Sequence, residues 1–155
     1  MPTVQSGFKK EGGEPFVDFA TDYAFRMPAI KVAEAQKEYG DVWMYRYELV
    51  TKSGIETGWK ASHAFDLPGV FANKDFKFSQ FLFDGEPEET ADQIIQDMHT
   101  PWVRFAKNGE PDPENWPKYT GYVSNVRIFD RETHTQRLDM TELMNVWKDM
   151  RFYED

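Results

Sequence analysis

Apolar side chains recur every third or fourth residue in four stretches of the chain and alternate in two others. The helical spacing predicts a helix over Phe16–Phe25, with Phe16, Phe19, Ala20, Tyr23 and Ala24 on one face. A second helix is expected over Pro28–Tyr39. Pro28 suits its first turn, Gly40 suits its stop, and Ala29, Val32, Ala33 and Ala35 form its apolar side. The strongest periodicity spans Glu86–Lys107, where Ala91, Ile94, Ile95, Met98, Trp102, Phe105 and Ala106 make one stripe. Glu88, Glu89 and Asp92 favour its positive end and Gly109 ends it, while Pro101 is expected to kink or split it after His99. A last helix follows Asp139, read as its cap with Glu142 as capping-box partner. Leu143, Val146, Trp147 and Met150 are its docking residues.

The alternating stretches read as strands. Val42–Val50 is rich in aromatic and β-branched residues, which suit a pleated and partly buried surface. Thr120–Asp130 sets Tyr122, Ser124, Val126 and Ile128 against Val123, Asn125, Arg127 and Phe129. Lys52–Thr57 reads as a polar turn, Asn73–Asp84 as an aromatic-rich loop pinned into the core, and Asp130–Thr133 as a hairpin or turn. Pro111–Pro117 is turn-rich, with Trp116 as its anchor. Met1–Glu14 is expected to be a flexible N-terminal segment without the apolar region of a signal peptide, and residues 15–155 the folded part. Two or three strands and four helices give an α/β chain, too small for a whole doubly wound sheet but suited to the C-terminal third of one.

Composition narrows the function classes. A chain of 155 residues suits one domain with a real core. Its net charge of −9 argues against nucleic acid, which needs clustered Lys and Arg. No run of about 18 apolar residues offers a membrane span. The absence of cysteine removes disulfides and thiolate metal sites and suits a reducing cytoplasm. The three histidines are far apart with no His-x-x-x-His pair, and the acidic clusters lack EF-hand spacing, so neither a metal nor another cofactor is expected.

Among the histidines, His63 is the candidate with chemistry. It follows strand Val42–Val50 and the polar turn, so it is expected on a loop leaving a strand end, where an imidazole can face a cleft. Ala61, Ser62 and Ala64 leave room around the ring, and Asp66 lies close enough in sequence to support it. Taken alone, a loop histidine is more often solvated than catalytic. His99 reads as a core-edge side chain beside the main apolar stripe, and His134 as a solvated residue in a turn.

The segment around His63, His63-Ala64-Phe65-Asp66-Leu67-Pro68-Gly69-Val70-Phe71, resembles the histidine segment of the type-B carboxylesterases, the cholinesterase-like branch of the α/β-hydrolases. That family reads roughly His-Gly/Ala-x-Glu-Leu/Ile-Pro-Phe-Val-Phe. Four further segments fit in the same order: Thr21-Asp22-x-x-Phe25-Arg26-x-Pro28 with Ala33; Val42-Trp43-x-Tyr45-Arg46-Tyr47; Met98-x-x-x-Trp102-x-x-Phe105-Ala106-x-x-Gly109-x-Pro111; and Trp116-Pro117-x-Tyr119. The resemblance runs from about Phe16 to Trp147. It departs at Asp66, where Glu is usual, and at Gly69, where a bulky apolar residue is usual.

The resemblance implies the C-terminal part of an α/β-hydrolase, with His63 as general base and then general acid and with Asp66 and Ser62 in supporting places. Such chemistry also needs a serine nucleophile at a Gly-x-Ser-x-Gly elbow, an acid and oxyanion donors. None of Ser6, Ser53, Ser62, Ser79 and Ser124 lies in that pattern, and Ser62 is adjacent to His63, where consecutive side chains diverge. The expectation is part of a serine carboxylesterase acting on small esters, completed by a second polypeptide with the elbow, and inactive alone. The competing expectation is a non-catalytic α+β interaction domain derived from such an enzyme.

Overall fold

A computed structural model describes residues 15–150. The expected flexible segment 1–14 lies outside them. Contacts sort the chain into two units, one made of residues 15–42, 118–125 and 137–150, the other of residues 43–117 and 126–136.

The first unit opens with helix α1 (Pro15–Thr21), a wide π turn over Asp22–Arg26, and helix α2 (Met27–Gln36). Thr21, Arg26 and Met27 keep helical dihedrals, so the run is continuous. Pro28 sits in the first turn of α2, as expected, where its missing N–H is not needed. The covered face differs from the expected one. Met27, Ile30 and Ala33 are buried, whereas Val32, Ala29 and Ala35 are exposed and Phe16 is 76% exposed. The covered positions of α2 are spaced three apart and centre on Ile30, which the expected face of Ala29, Val32, Ala33 and Ala35 omitted. The last helix, α7 (Thr141–Trp147), buries Leu143, Met144 and Trp147, with Val146 exposed. Asp139 does not occupy its cap position; its carboxylate accepts from the Thr141 amide at 2.9 Å, while Met140 begins the helix. Glu142 closes no capping box.

The second unit carries strand β1 (Tyr45–Tyr47), shorter than expected. Two regions read as turn and loop are short helices: α3 (Lys52–Glu56) and α5 (Lys77–Leu82). Thr51 caps α3 by accepting from the Gly54 amide at 3.1 Å. Between them lies α4 (Leu67–Phe71), and α6 (Glu88–Asn108) follows. Of the kink or split expected at Pro101, the split does not occur: helix α6 runs unbroken through it and ends at Gly109, whose φ of +77° needs glycine. Its stripe is buried only at Ala91, Ile94 and Met98 and becomes exposed at Trp102 and Phe105.

Strand β2 (Val123–Phe129) runs parallel to β1, with Tyr45, Arg46 and Tyr47 facing Arg127, Ile128 and Phe129. The parallel pairing requires a long crossover, which α3–α6 supply. Strand β3 (His134–Asp139) was not expected; it pairs on the other side of β2, giving the order β1-β2-β3. Both β2 and β3 contribute residues to both units. On β2 the expected alternation holds, with Ser124, Val126 and Ile128 buried. The core of the second unit gathers Leu49, Ile94, Met98, Trp116 and Phe129. Trp116 is 4% exposed and its indole donates to the Met44 carbonyl at 2.9 Å, the anchor expected of it.

Candidate active site

His63 stands in an exposed turn between α3 and α4. The helix α3 separates it from the strand, so it does not leave the strand end directly as the sequence suggested. The Phe65 amide donates to the Ser62 carbonyl at 3.2 Å, and the Leu67 amide donates to the Ala64 carbonyl at 3.2 Å. Two tight turns therefore follow one another, with His63 in the first. Ala64 has φ of +69°. A left-handed residue in the third place of a four-residue turn favours glycine, which fits the Gly/Ala choice at this place in the resembled motif. A Cβ in that conformation costs about 1–2 kcal/mol. Among the described residues, the non-glycine residues with positive φ are Lys60, Ala64 and Ala72. All three lie in the same thirteen-residue stretch as His63.

The turn is tied from below. Phe65 is buried, its ring centroid 5.5 Å from that of Phe78 and 6.2 Å from that of Trp59. Asp66 is half-buried and accepts a hydrogen bond from the Tyr45 hydroxyl at 2.7 Å. Burial raises the Tyr45 phenol above its usual pKa, and the hydrogen bond to Asp66 raises it further, so Tyr45 keeps its proton and donates. Asp66 thus supports the segment through the sheet. Sequence reasoning missed Tyr45. Its signals were its place in the family-like segment Val42–Tyr47 and a tyrosine in a partly buried strand, where the hydroxyl must find a partner.

Helix α4 packs against α6 at close range. A Cβ on Gly69 would meet the Met98 sulfur at 2.5 Å, so the sulfur takes the space that a bulky residue would fill. His99 Nδ1 lies 2.8 Å from the Val70 carbonyl, which makes it the core-edge histidine expected. His134 begins β3 and is exposed, in a strand and not a turn.

The described serines are far from a nucleophile's setting. Ser53, Ser79 and Ser124 are buried. Ser79 donates to the Asn73 carbonyl at 2.6 Å and Ser124 accepts from the Thr120 amide at 2.9 Å. Ser62 is exposed beside His63 and contributes its carbonyl to the turn. Among the described residues no group of three His, Asp or Glu side chains could hold a metal ion, and no helix is long and apolar enough to cross a membrane.

Known proteins agree with the motif reading. The para-nitrobenzyl esterase of Bacillus subtilis is 35% identical over 121 residues, which cover 77% of this chain and 24% of that protein. The human cocaine esterase is 28% identical over 128 residues, covering 81% of this chain and 21% of that protein. The structure of a Geobacillus stearothermophilus carboxylesterase superposes with a TM-score of 0.72 at 27% identity, over 89% of this chain and 30% of that one. The chain spans about a quarter of the length of these relatives. The architecture is accordingly a partial α/β-hydrolase: a small three-stranded sheet with several helices. A sequence model of the carboxylesterase family matches residues 2–147, nearly the whole length, and the chain belongs to that family.

Proposed function

We propose that this chain supplies the catalytic histidine of a serine carboxylesterase acting on small carboxylic esters. The observation that carries the reading is the setting of His63. It is exposed on a turn in which Ala64 holds left-handed backbone, in the segment that carries the family's histidine motif. Strain of this kind persists where the surrounding structure enforces it and concentrates at sites that present a group.

The chemistry assigns two jobs to the imidazole. His63 takes the proton of a serine hydroxyl as that oxygen attacks the ester carbonyl. It then returns the proton to the departing alcohol, leaving an acyl-serine. In the second half it takes a proton from water and gives it back to the serine as the acid leaves. The serine, the triad acid and the oxyanion donors come from a second polypeptide that carries a Gly-x-Ser-x-Gly elbow. Asp66 holds the turn; it lies within hydrogen bond of Tyr45, not in the orienting role of the triad acid. Localisation in the cytoplasm fits the cysteine-free composition.

The test mixes or co-expresses the chain with an elbow-bearing polypeptide from a neighbouring gene and follows p-nitrophenyl ester hydrolysis. The chain alone is expected to be inactive and the pair active. His63→Ala is expected to lower turnover by about 10⁶-fold, the scale of losing a triad member in a serine hydrolase. Hydrolysis that survives His63→Ala overturns the role.

A further inference from the structure

The geometry points to Tyr45 as a positioning residue for His63: fixed in the core by three rings, its hydroxyl holds Asp66 and thereby the strained turn that presents the imidazole. This deepens the reading of His63 as the base and rests on it.

The anchor end is rigid. The Tyr45 ring meets Trp102, Trp116 and Phe129 edge-on, with centroids 5.9, 6.0 and 5.5 Å away and interplanar angles of 84°, 82° and 68°. Trp116 and Phe129 are themselves core residues. Such edge-to-face packing leaves the hydroxyl one direction to point. It points at Asp66 Oδ2, 2.7 Å away.

The other end is a carboxylate withheld from its ordinary use. Asp66 occupies the N-cap of α4, where an aspartate side chain usually accepts a helix amide. Here it makes no such bond, and only its backbone carbonyl serves the helix, accepting from Val70 at 3.0 Å. The side chain is spent on the sheet. A hydrogen bond to a carboxylate is about twice as strong as a neutral one. It lands three residues after His63 and two after Ala64, whose φ of +69° would otherwise relax. The two turn bonds within Ser62–Leu67 are each a single bond of 3.2 Å, so an outside hold is what keeps the strained form populated. A base displaced by about 1 Å loses on the order of 10²-fold in rate, which makes the hold a matter of turnover and not only of stability.

The experiment uses Tyr45→Phe, which keeps the ring, with Asp66→Asn as a second variant. Each is measured two ways. In the reconstituted esterase, Tyr45→Phe is expected to lower kcat about 10- to 100-fold with KM unchanged, and the double variant to be no worse than the worse single one. On the chain alone, amide exchange at Phe65 and Leu67 is expected to quicken at least 10-fold, while α6 amides keep their rates. Unchanged kcat with His63→Ala inactive overturns the positioning role and leaves the base reading intact. Activity retained by His63→Ala overturns the base reading, and exchange at Phe65 and Leu67 then still decides whether Tyr45 holds the turn. Exchange that quickens equally throughout the chain reduces the pair to general stability and overturns the proposal.

Discussion

Each unit covers part of its apolar surface and leaves part open, the first along its leading helical run and the second at Ile55, Trp59, Phe71 and Phe76. The second closes around Leu49, Ile94, Met98, Trp116 and Phe129, with Trp116 and Phe129 meeting edge-on. The first also has a good deal of aromatic surface, but Phe16 and Val17 on its leading helix are more than half open and Phe25 in the π turn is 50% exposed. What it buries there is Asp22, 1% exposed and paired with Arg26 at 2.5 Å. The contrast teaches that an apolar stripe states a need for cover without naming the cover. In the second unit the chain provides its own around Trp116 and Phe129 but not at Phe71 and Phe76. In the first, rings such as Phe19 and Tyr23 lean on Trp147, with centroids 5.3 and 6.3 Å away, and remain partly open.

The sharpest way to break the contrast is to truncate one ring in each unit. Trp116→Ala is expected to destabilise by about 3–5 kcal/mol, since it empties a core site and removes one of the two donors to the Met44 carbonyl, leaving the Arg127 amide. Phe16→Ser, on the open helix, is expected to stay within about 0.5 kcal/mol. Urea unfolding of both variants measures this; equal losses would erase the distinction.

Buried charge gives a second contrast, of opposite sign in pH. In the second unit, Arg131 grips Glu86 with two hydrogen bonds of 2.9 Å, and the Lys52 amide adds a third of 2.7 Å. Arg131 holds the Glu86 carboxyl below its usual pKa. That stability is present above the ordinary carboxylate pKa of about 4.3 and is lost as acid carries the group through its lowered value. In the first unit, burial raises the Asp22 carboxyl, and Arg26 offsets it only in part. Its contribution is full below the ordinary pKa of about 3.9 and is lost as pH rises through the raised value. Glu86→Gln should therefore cost about 1 kcal/mol at neutral pH, with half-exposed Arg131 limiting the effect, and nothing in strong acid. Asp22→Asn should remove a penalty that grows with pH. Denaturation across pH 2–7 (roughly the span of both carboxyls) checks both; matching slopes for the two variants would refute the contrast.

The smallest effect concerns the turn itself. Ala64→Gly relieves the left-handed backbone, at about 1–2 kcal/mol, and gives back part of that through a freer unfolded chain. A net gain of about 0.5 kcal/mol is expected, seen as a rise in Tm of about 1–2 °C. A fall in Tm would mean that the turn does not hold the conformation described.

How much was legible follows from the same physics. Helix α6 was read to within two residues, because its stripe, acidic start and Gly109 all agree. Strand β2 was read from alternation, and Trp116 from its place in a proline-rich turn. Helices α3 and α5 were missed because five or six residues carry too little of a period to declare one. Strand β3 was missed because only Leu138 in it is buried, so its side chains show no apolar alternation; its partner β2 makes it a strand. At the site, the motif gave His63 and Asp66, and nothing in the spacing joined Asp66 to Tyr45, twenty-one residues earlier.

The order of chemical groups along this chain determined the family, its histidine-bearing segment and the absence of an elbow serine, because motifs are local and a missing pattern is visible in the letters themselves. Folding alone decided which faces are covered, which hydroxyl meets the Asp66 carboxylate, and that Ala64 is bent into glycine's territory beside His63. Those depend on residues far apart in the chain arriving at one place, and distance in space is the quantity that a sequence does not carry.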